Sequence, residues 1–174
     1  MEIKDQIILG VDPGFHITGF AIIKVSAGKT ALCDWGLLKM RTTDSLSERV
    51  GQFHTFFTEK ISRFAITQIA LETSFLGKNA QTFLKLGYLR GILYLLANQH
   101  ALGLTEFAPT QIKLTVTGHG GASKEQVAAI LFRYFPALKN APSVQRLDMT
   151  DALAIALCGA WYKKTLLARL KQYA

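Results

Sequence analysis

The stretch Ile7-Ile8-Leu9-Gly10-Val11-Asp12-Pro13-Gly14 decides how the chain is read. Apolar residues fill it until Asp12, and Pro13-Gly14 then turns the chain. A continuous apolar run closed by a turn signal is the pattern of a strand buried on both faces. The pattern predicts a central strand with a carboxylate at its carboxyl end, where packing has no use for one. Alone, Asp12 fits two readings equally well. It starts the turn, as Asp before Pro-Gly commonly does, or it serves chemistry. The positions of the other acids separate the two.

Outward from this strand, Ile17–Val25 and Ala31–Met40 are two further strands. Ser26-Ala27-Gly28-Lys29 between them is a hairpin loop. The three make an antiparallel meander. The period changes over Thr42–Arg63: Leu46, Val50, Phe53, Phe57, Ile61 and Phe64 recur at three and four residues, and Ser45 with Glu48 forms a capping box. This is an amphipathic helix. Gln68–Glu72 returns to strand character, Phe75–Asn79 is a loop and Ala80–Gln99 is helical. Gly87 and Gly91 make a small-residue stripe on that helix, suited to close approach by another element. Leu104–Ala108 is a strand ended by Pro109, and Thr110–Thr117 is a short helix. Gly118–Ala122 is a loop, Ser123 with Gln126 caps a helix through Tyr134, and Pro136–Arg146 is irregular. A last helix starts around Leu147 and runs past Trp161 into a basic tail, about 161–174, carrying Lys163, Lys164, Arg169 and Lys171. The expected fold is α/β: a five-stranded mixed sheet, the meander plus two parallel strands, with helices on both faces.

A chain of 174 residues with no repeat or linker is one domain, 1–174. Its 49% hydrophobic content excludes a disordered chain, and 20 Lys and Arg against 12 Asp and Glu leave a net charge of +8. Such an excess suggests a polyanionic partner, nucleic acid before membrane. Cys33 and Cys158 have apolar neighbours and no Cys-x-x-Cys spacing, so both are expected to be buried, reduced thiols. The opening Met1–Gln6 is too polar for a signal peptide. Arg90, Asn98, Gln99 and His100 break the longest apolar tract, so no membrane span is expected. A reducing, cytoplasmic location follows as an expectation.

The late acids return to the question of Asp12. Right-handed crossovers set the strand ending at Glu72 parallel to the first, which brings Asp12 and Glu72 side by side. Asp148 and Asp151 open the last helix three residues apart, on one face of its first turn. One Asp at a helix start is ordinary capping; a pair is less well explained that way. Ala152, Ala154 and Ala156 would let this helix lie close to the sheet. Four carboxylates at one sheet edge repel one another unless cations bind, and hard divalent ions suit oxygen ligands. Two such ions about 4 Å apart can clamp a phosphate. A basic protein with that arrangement reads as a two-metal nuclease.

The chain resembles the RuvC-type Holliday-junction resolvases, which have a ribonuclease H-like fold. Gly10-Val11-Asp12-Pro13-Gly14 with Thr18-Gly19, and Leu71-Glu72 with Phe75 and Lys78-Asn79-Ala80, carry the first half of the match. Leu86-Gly87, Arg90-Gly91, Lys113, Val116-Thr117-Gly118, Ser123-Lys124 and Gln126-Val127 continue it. Asp148-x-x-Asp151-Ala-Leu-Ala-Ile-Ala closes it. The matches run in order from residue 7 to about 160.

The resemblance implies that Asp12, Glu72, Asp148 and Asp151 are metal-holding catalytic acids for two Mg²⁺ ions, with Mn²⁺ as a substitute. Asp12 would bridge the ions. Lys113 and Lys124 would sit beside the scissile strand as further catalytic and DNA-binding residues. Phe75 would stack at the branch point, and Lys78, Asn79 and Arg90 would contact DNA. It implies hydrolysis of four-way junction DNA with symmetric nicks, leaving 5′-phosphate and 3′-hydroxyl ends. The setting would be recombination and repair, and the enzyme a homodimer working with a branch-migration helicase complex. The Ala80–Gln99 helix or a neighbouring helix's apolar face is the candidate dimer contact. Thr73-Ser74 departs from the family, whose members carry larger or apolar residues there. Alternatives are a ribonuclease H-like enzyme acting on RNA or RNA–DNA hybrid, and a noncatalytic junction-binding module. An ATPase or sugar-kinase fold needs a second lobe and a second phosphate loop, for which 174 residues leave no room.

Overall fold

A computed structural model describes residues 5–73, 80–140 and 146–170, with the backbone alone at 139–140, 146–148 and 163–170. The elements run β1 (Gln6–Asp12), β2 (Ile17–Ser26), β3 (Lys29–Lys39), α1 (Leu46–Phe64), β4 (Gln68–Glu72), α2 (Ala80–Gln99), β5 (Gly103–Phe107), α3 (Pro109–Thr117), α4 (Lys124–Tyr134), a 3₁₀ turn (Pro136–Asn140) and α5 (Arg146–Leu170). The sheet order is β3-β2-β1-β4-β5. The meander is antiparallel, while β4 and β5 run parallel to β1. The expected α/β fold is the observed one, with the Asp12 strand in the middle.

Local chemistry places the boundaries. Ala27 and Gly28 both take positive φ, 47° and 79°, the pairing a two-residue hairpin turn requires. Ser45 and Ser123 each close the capping box the spacing predicts. β5 begins and ends one residue earlier than expected, because Ala108 caps α3 and Pro109 opens it.

Two expectations are corrected. The span Pro136–Arg146 is not wholly irregular: Pro136–Asn140 is a 3₁₀ turn and Arg146 already belongs to α5. Cys33 is exposed, whereas Cys158 is buried as expected. Cys33 lies on the edge strand at a bulge, where Ile22 pairs with Asp34 and Ile23 with Leu32, so it has no partner position.

The two sheet faces carry separate cores. Ile8, Ala21, Ile23 and Ala70 meet α3, α4 and the Ala152–Cys158 run of α5. Leu9, Val11, Phe20, Ile22, Ile69 and Leu71 meet Phe53, Phe57 and Ile61 of α1 and Leu89, Leu93 and Leu96 of α2. Alternation along β1 thus sends one residue to each side in turn.

Candidate active site

The register of the parallel strands builds the site. Val11 of β1 stands beside Leu71 of β4, so Asp12 and Glu72 end neighbouring strands at the same edge. α5 brings the third acid by lying on the backbone of β1. A Cβ at Gly10 would fall 2.3 Å from the carbonyl oxygen of Ala152 and 2.5 Å from the amide nitrogen of Ala156. Only glycine admits the helix this closely. Gly159 repeats the device further along, where a Cβ would meet Ile8 Cγ2 at 3.1 Å and Ala70 Cβ at 3.2 Å. Asp151 therefore reaches the strand ends. Asp148 lies in the first turn of α5, among the positions described by backbone alone.

Glu72 stands between two recesses. Lys113, Lys124 and Asp151 line one, floored by Ile112, Val127 and Ile155. Asp12, Pro13, Thr73, Leu86 and Arg90 line the other. Lys124 Nζ donates to Asp151 Oδ2 at 2.7 Å. Burial first, then the charge of Asp151, raises the Glu72 carboxyl above its ordinary value, against the opposing charges of Lys124, Lys113 and Arg90. Lys124 is raised mainly by its bond to Asp151, with smaller contributions from Asp12 and Glu72. The three acids and two lysines thus share one field.

The donor set fits a hard divalent cation. A carboxylate whose charge is disfavoured by burial and by a neighbouring acid is stabilised by a cation. The Thr73 hydroxyl oxygen is buried with no hydrogen-bond partner among the described residues, on the wall shared by Asp12 and Glu72. Such an orphan calls for water or an ion's hydration shell. Among the described residues no three His, Cys, Asp or Glu stand close enough together to form a finished metal cage. As the side chains lie, Lys124 is the cation facing Asp151.

The loop after Asp12 is tied on several sides. Thr18 Oγ1 donates to the Gly14 carbonyl at 2.9 Å and accepts from the Gly14 amide at 3.2 Å. The Met40 amide donates to the His16 carbonyl at 2.9 Å. Arg49, 6% exposed, donates from Nε to the Asp44 carbonyl at 3.0 Å and from Nη2 to the Thr42 carbonyl. It approaches His16 Nδ1 at 3.4 Å and lies 4.8 Å above the Phe15 ring.

Of the residues expected at the site, Asp12, Glu72, Asp151, Lys113 and Lys124 come together. Phe75, Lys78 and Asn79 lie outside the described residues. Arg90 lines the recess beside Asp12 with its side chain turned inward, 13% exposed and bonded to Glu106 and to the Glu72 carbonyl. Sequence reasoning missed Arg49 and Glu106. Arg49 carried a signal, since it continues the Phe53, Phe57, Ile61 stripe at a four-residue step.

A model of the family described as crossover junction endodeoxyribonuclease RuvC matches residues 8–159. The crossover junction endodeoxyribonuclease RuvC of Pelodictyon phaeoclathratiforme is 41% identical over 153 residues, covering 88% of this chain and 78% of that protein. The Bdellovibrio bacteriovorus protein of the same description is 38% identical over 165 residues, covering 94% and 96%. A solved structure of Thermus thermophilus RuvC in complex with Holliday junction substrate is similar with a TM-score of 0.81 and 30% identity, covering 91% of this chain and 94% of that one. A yeast mitochondrial Holliday junction resolvase shares the fold at a TM-score of 0.72 and 15% identity, covering 97% of this chain and 85% of that one.

Proposed function

The chain belongs to the RuvC family of crossover junction endodeoxyribonucleases and shares its nuclease activity on Holliday junctions; we propose that the cut is made where the acids at the ends of β1, β4 and α5 meet. The observation that carries this reading is the convergence of Glu72, Asp151, Lys113 and Lys124 on one recess, with Asp12 in the recess adjoining it across Glu72.

In this reading Asp12, Glu72 and Asp151 hold Mg²⁺, with Asp148 as the fourth acid. Bound there, the metal supplies a Lewis acid for the scissile phosphate and a water made acidic enough to attack it. The chain's own groups do the rest. The buried apolar floor of Ile112, Val127 and Ile155 limits water around the acids, which strengthens every charge interaction there. Lys124, whose side chain is 65% exposed, can exchange Asp151 for a phosphate oxygen. Lys113 lies across the same recess. Both neutralise charge that builds on the phosphate in the transition state. The net charge of +8 supplies backbone attraction, so binding weakens steeply with salt.

The second half of the reading is a twofold homodimer. Cutting two opposite strands symmetrically asks for two equivalent sites, and twofold dimers are the commonest assemblies. Support comes from an apolar groove between α1 and α2, lined by Leu46, Val50, Tyr88, Ile92 and Leu95 with Gly87 and Gly91. Leu46, Tyr88 and Leu95 are 44%, 41% and 49% exposed, more apolar surface than a lone chain gains from showing.

Cleavage of a synthetic four-way junction beside linear duplex and RNA–DNA hybrid, with Mg²⁺ or EDTA, tests the reading. The intact chain is expected to nick the junction symmetrically with Mg²⁺ alone, and Asp12→Asn to bind but not cut. Preference for the hybrid would move the chain to the ribonuclease alternative. Cleavage by Asp12→Asn at the intact rate would remove the proposed site. Sedimentation showing monomers at micromolar concentration, with cleavage intact, would remove the dimer.

A further inference from the structure

Three elements converge on the peptide that follows Glu72. Arg90 of α2 donates from Nη1 to the Glu72 carbonyl oxygen at 2.6 Å. Its Nη2 pairs with Glu106 Oε1 of β5. The Tyr94 hydroxyl, one turn further along α2, donates to the same carboxylate oxygen at 2.6 Å. On the far side of the peptide, the Thr73 amide donates to the Phe107 carbonyl at 2.9 Å. The Arg90 side chain is 13% exposed and that of Glu106 30%.

This geometry is costly to assemble without purpose. A strand's last carbonyl at a sheet edge can be satisfied by water, yet here it takes a charged guanidinium. A guanidinium has a rigid, planar fork, so fixing one end on Glu106 fixes where the other end points. Glu106 is itself held by Tyr94, which stops its carboxylate from swinging. The chain of bonds therefore runs from the exposed side of α2, through β5, to the backbone of the acid in the cleft.

We propose that Arg90, Glu106 and Tyr94 form a positioning network that fixes Glu72 for holding a divalent cation. The inference rests on the reading of Glu72 as a metal-holding acid, and it replaces the DNA contact expected of Arg90. Arg90 is a positioning residue because its bonds go to the Glu72 main chain and to Glu106. Groups that orient the residues around a metal commonly shift its affinity by about 10- to 100-fold when lost.

The test compares the full chain with Arg90→Met, Glu106→Gln and Tyr94→Phe in three measurements. These are hydrogen exchange at the Thr73 amide, Mn²⁺ affinity by calorimetry without DNA, and metal-free junction binding by gel shift. Arg90→Met is expected to speed Thr73 exchange relative to the centre of β1 and to weaken Mn²⁺ binding by about tenfold. Glu106→Gln, which keeps the size of the side chain, is expected to show a smaller effect in the same direction, and Tyr94→Phe the smallest. Junction binding is expected to stay unchanged in all three. Should Arg90→Met fail to fold, Glu106→Gln decides the matter by the same readouts. Weaker junction binding with unchanged Thr73 exchange and Mn²⁺ affinity would make Arg90 a DNA contact and overturn the inference. Faster exchange spread evenly over β1 and β4 would make the network a general support and also overturn it. If the full chain takes up no Mn²⁺ while Thr73 exchange still responds to Arg90→Met, the metal reading falls and the anchoring of Glu72 stands.

Discussion

The two faces of the sheet are packed by opposite means. Toward α5 the contact is backbone on backbone: Gly10 and Gly159 remove side chains from the interface, and Ala152 and Ala156 supply the smallest ones. Toward α1 and α2 it is made of large groups. Phe53 and Phe57 lie 4.6 Å apart between ring centroids, and Phe20 and Phe56 are edge-on at 5.1 Å. Close packing of backbones leaves a helix one seat, whereas large side chains can repack around a lost neighbour. The face with one seat carries Asp151 to the site. The face of large side chains reaches the site through Arg90, which bonds the Glu72 carbonyl, and leaves an apolar groove uncovered.

Substituting each face in turn tests that division. Gly10→Val would push α5 off β1 and carry Asp151 away from Asp12 and Glu72. Misplacement by about 1 Å can cost about 100-fold in rate, so junction cleavage is expected to fall by at least that much. Phe57→Ala is expected to cost about 3–5 kcal/mol of stability. Below its lowered melting temperature, cleavage per folded molecule should stay near that of the intact chain. Denaturant melts and single-turnover cleavage on both variants separate the effects. If Phe57→Ala lost cleavage while folded, the site would depend on the packing of the large side chains themselves and not only on Arg90 from that face, and the division would fail.

The sequence made one side of this contrast far more legible than the other. Solid apolar runs ending in Asp12 and Glu72 disclosed both strands and their acids, because a buried parallel strand has no reason to end in a carboxylate. Ala152, Ala154 and Ala156 announced a close helix. Gly10, their partner, read as part of a strand, since only the three-dimensional approach shows that a Cβ there is excluded. Arg49 and Glu106 escaped for a different reason. Their partners are main-chain carbonyls or distant residues, such as Thr42, Asp44 and Arg90, and carbonyls leave no mark on a side-chain pattern. Leu46 belongs to the apolar stripe of α1 by its spacing, yet it lines the groove. Periodicity shows that a face is apolar and not what covers it.

At the site itself the contrast is between stability and use. Burial and Asp151 raise the Glu72 carboxyl above its ordinary value, so the folded chain holds that proton more tightly than the unfolded chain does. The stability linked to this group is fully present below the unfolded pKa, about 4.3, and is lost as pH rises through the folded one. Without metal, Glu72→Gln is therefore expected to melt at a higher temperature than the intact chain at neutral pH. The gap should close below about pH 4 and shrink in high salt, which screens Asp151. Thermal melts in EDTA across pH measure it. A variant less stable at neutral pH would mean that Glu72 contributes packing the charge does not outweigh.

The smallest expected effect probes the open face. A Cβ at Gly87 or Gly91 would meet nothing within 4 Å in the single chain, although these glycines were expected to meet another element. Glycine inside a helix costs up to about 1 kcal/mol relative to alanine, so each is a loss the folded chain does not recover by itself. If the groove stays open, Gly87→Ala and Gly91→Ala should each raise stability by up to about 1 kcal/mol and change nothing else. If a second copy lies against α2, the added methyl groups would hold the two backbones apart. The same substitutions would then weaken the dimer in sedimentation while still stabilising the chain diluted below its association range. Stabilisation with an unchanged association constant would place the twofold contact elsewhere. A fall in association with stabilisation of the dilute chain would show that α2 forgoes helix stability in order to be approached.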